Sequence, residues 1–240
     1  MYKFFIYLVL LIMVNSCTMI QPIKTVIVHG TEKLEKIIEK SRKVIYFVRV
    51  RINKSDLYSF GTAFVVSKNG LLATAFHVIN NKKPVEVDVL IRDNGCEVFK
   101  KARWIIAKKH RDLAILYVDH KFKYVAKFRT TDLVSGEFLY SVGHPDAFNI
   151  LRDDKYYPSI VSYGNFFRYI MYTQVPAINN TRVQLSTIPI RGGSSGSPVF
   201  DKDGSIVGTN FGVISEKNDH ALTISVPIKY LTDLFIPQLQ

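Results

Sequence analysis

The chain is poor in cysteine, in acidic residues relative to basic ones, and in long apolar runs, and each scarcity removes a class of protein. With two cysteines in 240 residues, Cys17 and Cys96, it is not a disulfide scaffold. Its first apolar stretch, Phe4 to Val14, falls short of the roughly 20 residues that cross a bilayer as a helix. Acidic residues number 20 against 32 lysines and arginines, a net charge of +12, yet the cations are scattered and no basic run is interleaved with aromatics. That pattern describes a solvated surface and argues against nucleic acid as a partner. A hydrophobic content of 48% is too high for a disordered chain and sufficient for a sizeable core. Neither a metal nor a cofactor is expected.

The start of the chain reads as a targeting segment. Lys3 precedes the apolar run, and Asn15-Ser16-Cys17 follows it, which predicts export. Val14-Asn15-Ser16-Cys17 resembles a bacterial lipobox. The resemblance implies cleavage after residue 16, acylation of Cys17 and attachment to a membrane of the cell envelope, on its periplasmic or extracellular side. Plain secretion and an uncleaved anchor are the alternatives. With Cys17 acylated, Cys96 has no intramolecular partner and the core alone must hold the fold.

Beyond the leader, short apolar or alternating runs recur between turn residues: Val44 to Ile52, Tyr58 to Val66, Val85 to Ile91, Glu97 to Ala107 and Leu113 to Val118. A second series comprises Phe138 to Val142, Ser159 to Tyr172, Arg182 to Thr187, Pro198 to Phe200, Ser205 to Val213 and Ala221 to Val226. Many short strands and few helices predict an all-β sandwich or barrel. Helices are expected at the two ends. Thr31 caps a segment whose Leu34, Ile37 and Ile38 share one face, and Pro227 opens Ile228 to Phe235.

Three segments carry the chemistry. Gly193-Ser194-Ser195-Gly196-Ser197-Pro198 sets glycines around a serine, a composition that bends a backbone to expose a hydroxyl and free amides, although such stretches are also ordinary loops. His77 ends the run Leu71 to Ile79, where an imidazole at a strand edge suits a general base or a packed structural histidine. The chain has five other histidines: His29, His110, His120, His144 and His220. Asp112 opens the apolar run Leu113 to Val118, as a turn residue or as a buried carboxylate bonded to an imidazole N–H.

Taken together these segments resemble a trypsin-like serine peptidase, of the bacterial HtrA/Deg branch. Gly61 to Val66 with Asn69 to Thr74 is similar to the hairpin leading to the catalytic histidine. Arg111 to Leu116 resembles the segment of the catalytic acid, Ser141-Val142-Gly143-His144-Pro145 a Gly-x-Pro turn of the second barrel, and Gly193 to Gly208 the nucleophile loop and following hairpin. The order His, Asp, Ser separates this family from subtilisin-like and α/β-hydrolase folds.

The resemblance implies two six-stranded antiparallel β-barrels over residues 43–130, with His77 and Asp112, and 131–227, with Ser195. Before them come a signal peptide, 1–16, and a linker and helix, 17–42; after them a helix and tail, 228–240. It implies a serine endopeptidase acting on polypeptides, with an oxyanion hole from the amides of Gly193 and Ser195. Ile188, Pro189, Ile190, Asn210, Phe211 and Gly212 would bind substrate in a pocket without an acid. Ser194 and Ser197 compete with Ser195 as nucleophile by position, and Ser197 replaces the family's usual glycine. No PDZ domain is expected after residue 234, and Ser194 in place of an aspartate argues against activation by a new N-terminal ammonium. The competing readings are a catalytically silent peptidase fold that binds extended peptides, and a structural envelope lipoprotein.

Overall fold

A computed structural model of the protein describes residues 33–52, 58–80, 84–93, 96–145, 159–174, 178–214 and 221–235. The leader, its cleavage site, Cys17 and Thr31 lie outside the described residues. Two compact units divide the chain, Met1–Lys40 and Ser41–Gln240. The described part of the first is helical from residue 33, in helix α1 (33–42), as its apolar spacing predicts. Both barrels belong to the second. Among the described residues no helix is long and apolar enough to cross a membrane.

The first barrel is built from β1 (Ile45–Ile52), β2 (Tyr58–Ser67), β3 (Leu71–Ala75), β4 (Pro84–Asp93), β5 (Cys96–Lys108) and β6 (Leu113–Val118). They pair in the order β1-β2-β3-β6-β5-β4, and β4 returns to β1 to close the ring. Gly70 makes the tight β2–β3 turn with φ +91°, and a Cβ there would lie 2.2 Å from the Val118 carbonyl oxygen, so only glycine fits. Nearly every side chain of β6 is buried, because the strand is covered on both faces. Phe47 and Leu90 form a buried cluster on the face of the sheet that carries Arg49 and Asp88, flanked by Phe60 and Phe99.

The second barrel follows a two-residue strand, β7 (Lys127–Phe128), which the hydrophobic pattern did not predict because two residues carry no periodicity. Its strands are β8 (Phe138–Gly143), β9 (Ile160–Tyr172), β10 (Thr181–Ser186), β11 (Pro198–Asp201), β12 (Ser205–Ile214) and β13 (Leu222–Pro227). They run β11-β8-β9-β10-β13-β12, and pairing of β12 with β11 closes six antiparallel strands, with β7 added parallel to β12. Leu133, Leu139, Phe166, Ile188, Val199 and Val207 form its core. Burial of side chains this size contributes roughly 1.5–3 kcal/mol each, which is what the alternating strands of the sequence supply. The architecture is the pair of six-stranded barrels implied by the resemblance. Two short helices complete the second unit: α2 (Phe76–Ile79), one turn at the end of β3, and α3 (Lys229–Phe235), which starts after Pro227 as expected.

Candidate active site

Strand pairing brings His77 to Asp112. Ala75 lies opposite Leu113 in the β3–β6 ladder, so the residues just beyond the two strands, Phe76 and Asp112, meet at the rim of the first barrel. The Phe76 N–H donates to the Asp112 carbonyl at 3.0 Å, extending the ladder by one bond. One turn of 3-10 helix (Lys109–Arg111) delivers Asp112 in the left-handed conformation, φ +49°, which aspartate tolerates better than most residues. Its carboxylate turns back on His77 and accepts twice, from the backbone N–H at 2.8 Å and from ring Nδ1 at 2.7 Å. Asp112 is 1% exposed, so these bonds also satisfy a buried charge. A carboxylate facing Nδ1 places the ring proton there and leaves Nε2 with a lone pair directed away from the acid. The His77 side chain is 40% exposed, and its ring stands edge-on to Phe211 at 5.5 Å.

The turn carrying Asp112 is fastened to the other barrel. Arg111 donates to the Thr181 hydroxyl at 2.7 Å and lies 4.4 Å from the Tyr230 ring centre, while Thr181 donates to the His110 carbonyl at 3.1 Å.

The serine loop consists of two consecutive turns. Ser194 N–H bonds the Arg191 carbonyl at 2.9 Å and Ser197 N–H the Ser194 carbonyl at 3.0 Å, with Gly193 (φ +92°) and Gly196 (φ +81°) at the third position of each. A positive φ at that position is the signature of a type II turn and favours glycine. Among the described residues neither the Gly193 nor the Ser195 N–H has a backbone acceptor. The loop rests on the His77 segment: a Cβ on Gly196 would lie 2.4 Å from the Thr74 hydroxyl and 2.9 Å from the Ala75 nitrogen, and one on Gly61 would lie 2.6 Å from Val78 and 3.2 Å from the Ser195 carbonyl. Gly61 and Gly196 are therefore the gaps through which the serine loop approaches helix α2. The serine loop therefore packs on β2 and β3, the second of which runs into His77.

Burial separates the three serines. Ser194 is 6% exposed and its hydroxyl receives the Arg191 N–H, tying the turn from within. Ser197 is fully buried against Gly143, its hydroxyl without a hydrogen-bond partner among the described residues. Ser195 alone is partly exposed.

The expected pocket residues divide. Ile188 is 0% exposed in the core of the second barrel and Asn210 is likewise enclosed, its side chain bonded to Ser141 and Ser225. Neither side chain lines a pocket: strand alternation in β12 turns Asn210 inward, and Ile188, two residues beyond β10, is packed into the core cluster. Pro189 is exposed, Ile190 and Phe211 are half-buried, and Gly212 faces open space beside a bulge in β12. Sequence reasoning missed Thr62, whose N–H bonds the Ser195 carbonyl at 2.9 Å and whose hydroxyl bonds the Gly193 carbonyl at 3.1 Å, and Thr74, which bonds the Thr62 carbonyl at 2.7 Å. As strand threonines they look like ordinary β-formers. The available signal was their small neighbours, Gly61, Ala63, Ala73 and Ala75, which leave room for a loop.

The family model for the trypsin-like peptidase domain matches residues 61–208, a span that holds all three segments. The chain belongs to the trypsin-like peptidase family. This peptidase chain is 26% identical over 181 residues to a probable periplasmic serine endoprotease, DegP-like, of Pseudomonas fluorescens, covering 75% of this chain and 35% of the relative. The corresponding protein of Halomonas elongata is 25% identical over 185 residues, 73% of this chain and 34% of its own. The chain thus spans about a third of the length of the curated relatives it matches. Among solved structures, a protease from M. tuberculosis in its active form superposes with TM-score 0.68 at 17% identity, covering 82% of this chain and 81% of that one. The HtrA-type protease AlgW with a tripeptide gives TM-score 0.68 at 19% identity, covering 85% and 62%.

His144, in the Gly-x-Pro turn of this trypsin-like domain, is 1% exposed and packs edge-on against Phe47 at 5.5 Å. Burial, reinforced by the charges of Arg92 and Arg42, lowers its pKa to about 3. From about pH 6.5 down to about pH 3 the unfolded chain binds a proton that the folded one refuses, so this group lowers stability by about 1.4 kcal/mol per pH unit as pH falls. Urea unfolding across that range measures the slope. A His144→Phe variant is expected to flatten it; an unchanged slope contradicts the assignment.

Proposed function

We propose that the chain is a serine endopeptidase of the HtrA/DegP type, with Ser195 as nucleophile, His77 as general base and acid, and Asp112 orienting His77. The two hydrogen bonds that the Asp112 carboxylate accepts from the backbone and ring of His77 carry this reading, because the second sets the tautomer that acyl transfer needs at Nε2. Ser195 Oγ attacks a peptide carbonyl carbon as its proton passes to Nε2. The oxyanion lies against the N–H groups of Gly193 and Ser195, and the two left-handed glycines support their orientation. Collapse of this adduct breaks the C–N bond. The imidazolium protonates the departing amine, leaving an acyl ester on Ser195. Water, deprotonated by Nε2, then hydrolyses the ester and regenerates the serine.

Around the side chain of the cleaved residue, Ile190, Phe211 and Gly212, with Pro189 nearby, offer no carboxylate, which favours uncharged, apolar residues there. The relatives' names support an envelope location, and the lipobox-like Val14-Asn15-Ser16-Cys17 supports attachment through an acylated Cys17. A fluorophosphonate probe is expected to label the native protein once, at Ser195, and to fail after heat denaturation. A peptide library is expected to be cut after apolar residues. Label on another residue overturns the nucleophile, and a profile dominated by Lys or Arg overturns the pocket.

A further inference from the structure

Thr62 touches the serine loop twice. Its backbone N–H holds the Ser195 carbonyl at 2.9 Å, and its hydroxyl donates to the Gly193 carbonyl at 3.1 Å. The carbonyls at both ends of the Gly193–Ser195 stretch are thereby fixed by one residue of the opposite barrel. The 193–194 peptide is pinned at two points, its oxygen by Thr62 and its N–H by the Arg191 carbonyl at 2.9 Å. The amides of Gly193 and Ser195 flank that peptide.

The partner of Thr62 on its far side is His144. The Thr62 oxygen accepts the His144 backbone N–H at 3.1 Å and lies 3.3 Å from ring Nδ1. A hydroxyl has one proton and two lone pairs. Because the proton is committed to Gly193, the ring must donate, which makes His144 a neutral imidazole protonated on Nδ1. The hydroxyl is then saturated and cannot rotate away from the Gly193 carbonyl. His144 also closes the back of the loop, since a Cβ on Gly193 would lie 2.3 Å from the His144 carbonyl oxygen. Gly193 follows Gly192, so nothing intrinsic to the turn stiffens this backbone.

We propose that Thr62 is a positioning residue for peptide hydrolysis: its hydroxyl, saturated by His144, sets the separation of the Gly193 and Ser195 amides that receive the oxyanion. This rests on the peptidase reading above. The donors are needed only when charge develops on the carbonyl oxygen, so loss of the clamp acts on the transition state and leaves ground-state binding intact.

The test compares the wild type with Thr62→Val, which keeps the shape and loses the hydroxyl, and Thr62→Ser, which keeps the hydroxyl and loses a methyl. Each is assayed on a peptide that the wild type cleaves and titrated with a peptidyl trifluoromethyl ketone, which forms a tetrahedral adduct. Thr62→Val is expected to lower kcat by about tenfold to hundredfold with KM within about threefold, because a misplacement near 1 Å costs about that much. Affinity for the ketone is expected to fall by the same factor, and Thr62→Ser to stay within about threefold of wild type in both. Should Thr62→Val not fold, Thr62→Ala takes its place in the same comparison. A variant without the hydroxyl that keeps its kcat and ketone affinity and only melts earlier overturns the proposal. So does a loss confined to KM, or a Thr62→Ser variant as impaired as the valine. A wild type that neither cleaves the peptide nor takes up a fluorophosphonate overturns the peptidase reading instead.

Discussion

Replacing Ser195 by alanine is expected to lower peptide hydrolysis by at least about four orders of magnitude, toward the roughly million-fold loss seen when a serine nucleophile is removed. The change deletes one oxygen from a half-buried side chain and leaves both turns of the loop intact, since their closing bonds are made by Ser194 and Ser197 N–H groups. Folding should be unaffected, and the thermal midpoint should stay within a few degrees. Ser194 and Ser197 cannot substitute: one hydroxyl is tied to Arg191 and the other is enclosed against Gly143. Steady-state kinetics on a chromogenic peptide, read beside circular dichroism, checks the expectation. Retention of more than about a tenth of the activity in a folded variant would show that another group attacks the carbonyl.

Asp112→Asn is expected to lower kcat about 10⁴-fold with the backbone undisturbed. The argument is one of donors and acceptors. The two carboxylate oxygens accept from two N–H groups of His77, one in the backbone and one in the ring. An asparagine has only one acceptor at those positions. The backbone N–H cannot change its character, so the amide oxygen must stay with it, and the amide NH2 then faces the ring. The imidazole escapes the clash by moving its proton to Nε2, where it no longer accepts a proton from Ser195. Comparison of kcat for the variant and wild type measures the loss, and an effect below about tenfold would mean that Asp112 does not choose the tautomer.

The fold was legible in the sequence because each barrel strand carries an apolar run of its own, ended by turn residues. Strand β6 is an example, since the apolar run Leu113 to Val118 reads as a strand and is buried as one. Two elements escaped. Strand β7 is too short for a pattern, and α2 is one turn that continues the apolar run of β3 without a change in composition. At the site, His77, Asp112 and Ser195 could be singled out by residue type and chain order, since the chemistry restricts them to a few side chains. Thr62 could not, because its role depends on a partner 131 positions away and its residue type is common in strands. Ile188 and Asn210 failed as pocket residues for the same reason in reverse: closeness in sequence to a reactive loop does not fix the face on which a side chain emerges.

The bolt from Arg111 to Thr181 and Tyr230 has a consequence for how the protein comes apart. The residue that steers the imidazole rides on a turn of one barrel anchored to a strand and a terminal helix of the other. Movement of one half against the other therefore pulls on the turn that carries that carboxylate. A fragment holding only the first half would keep the histidine and its acid while losing that anchorage.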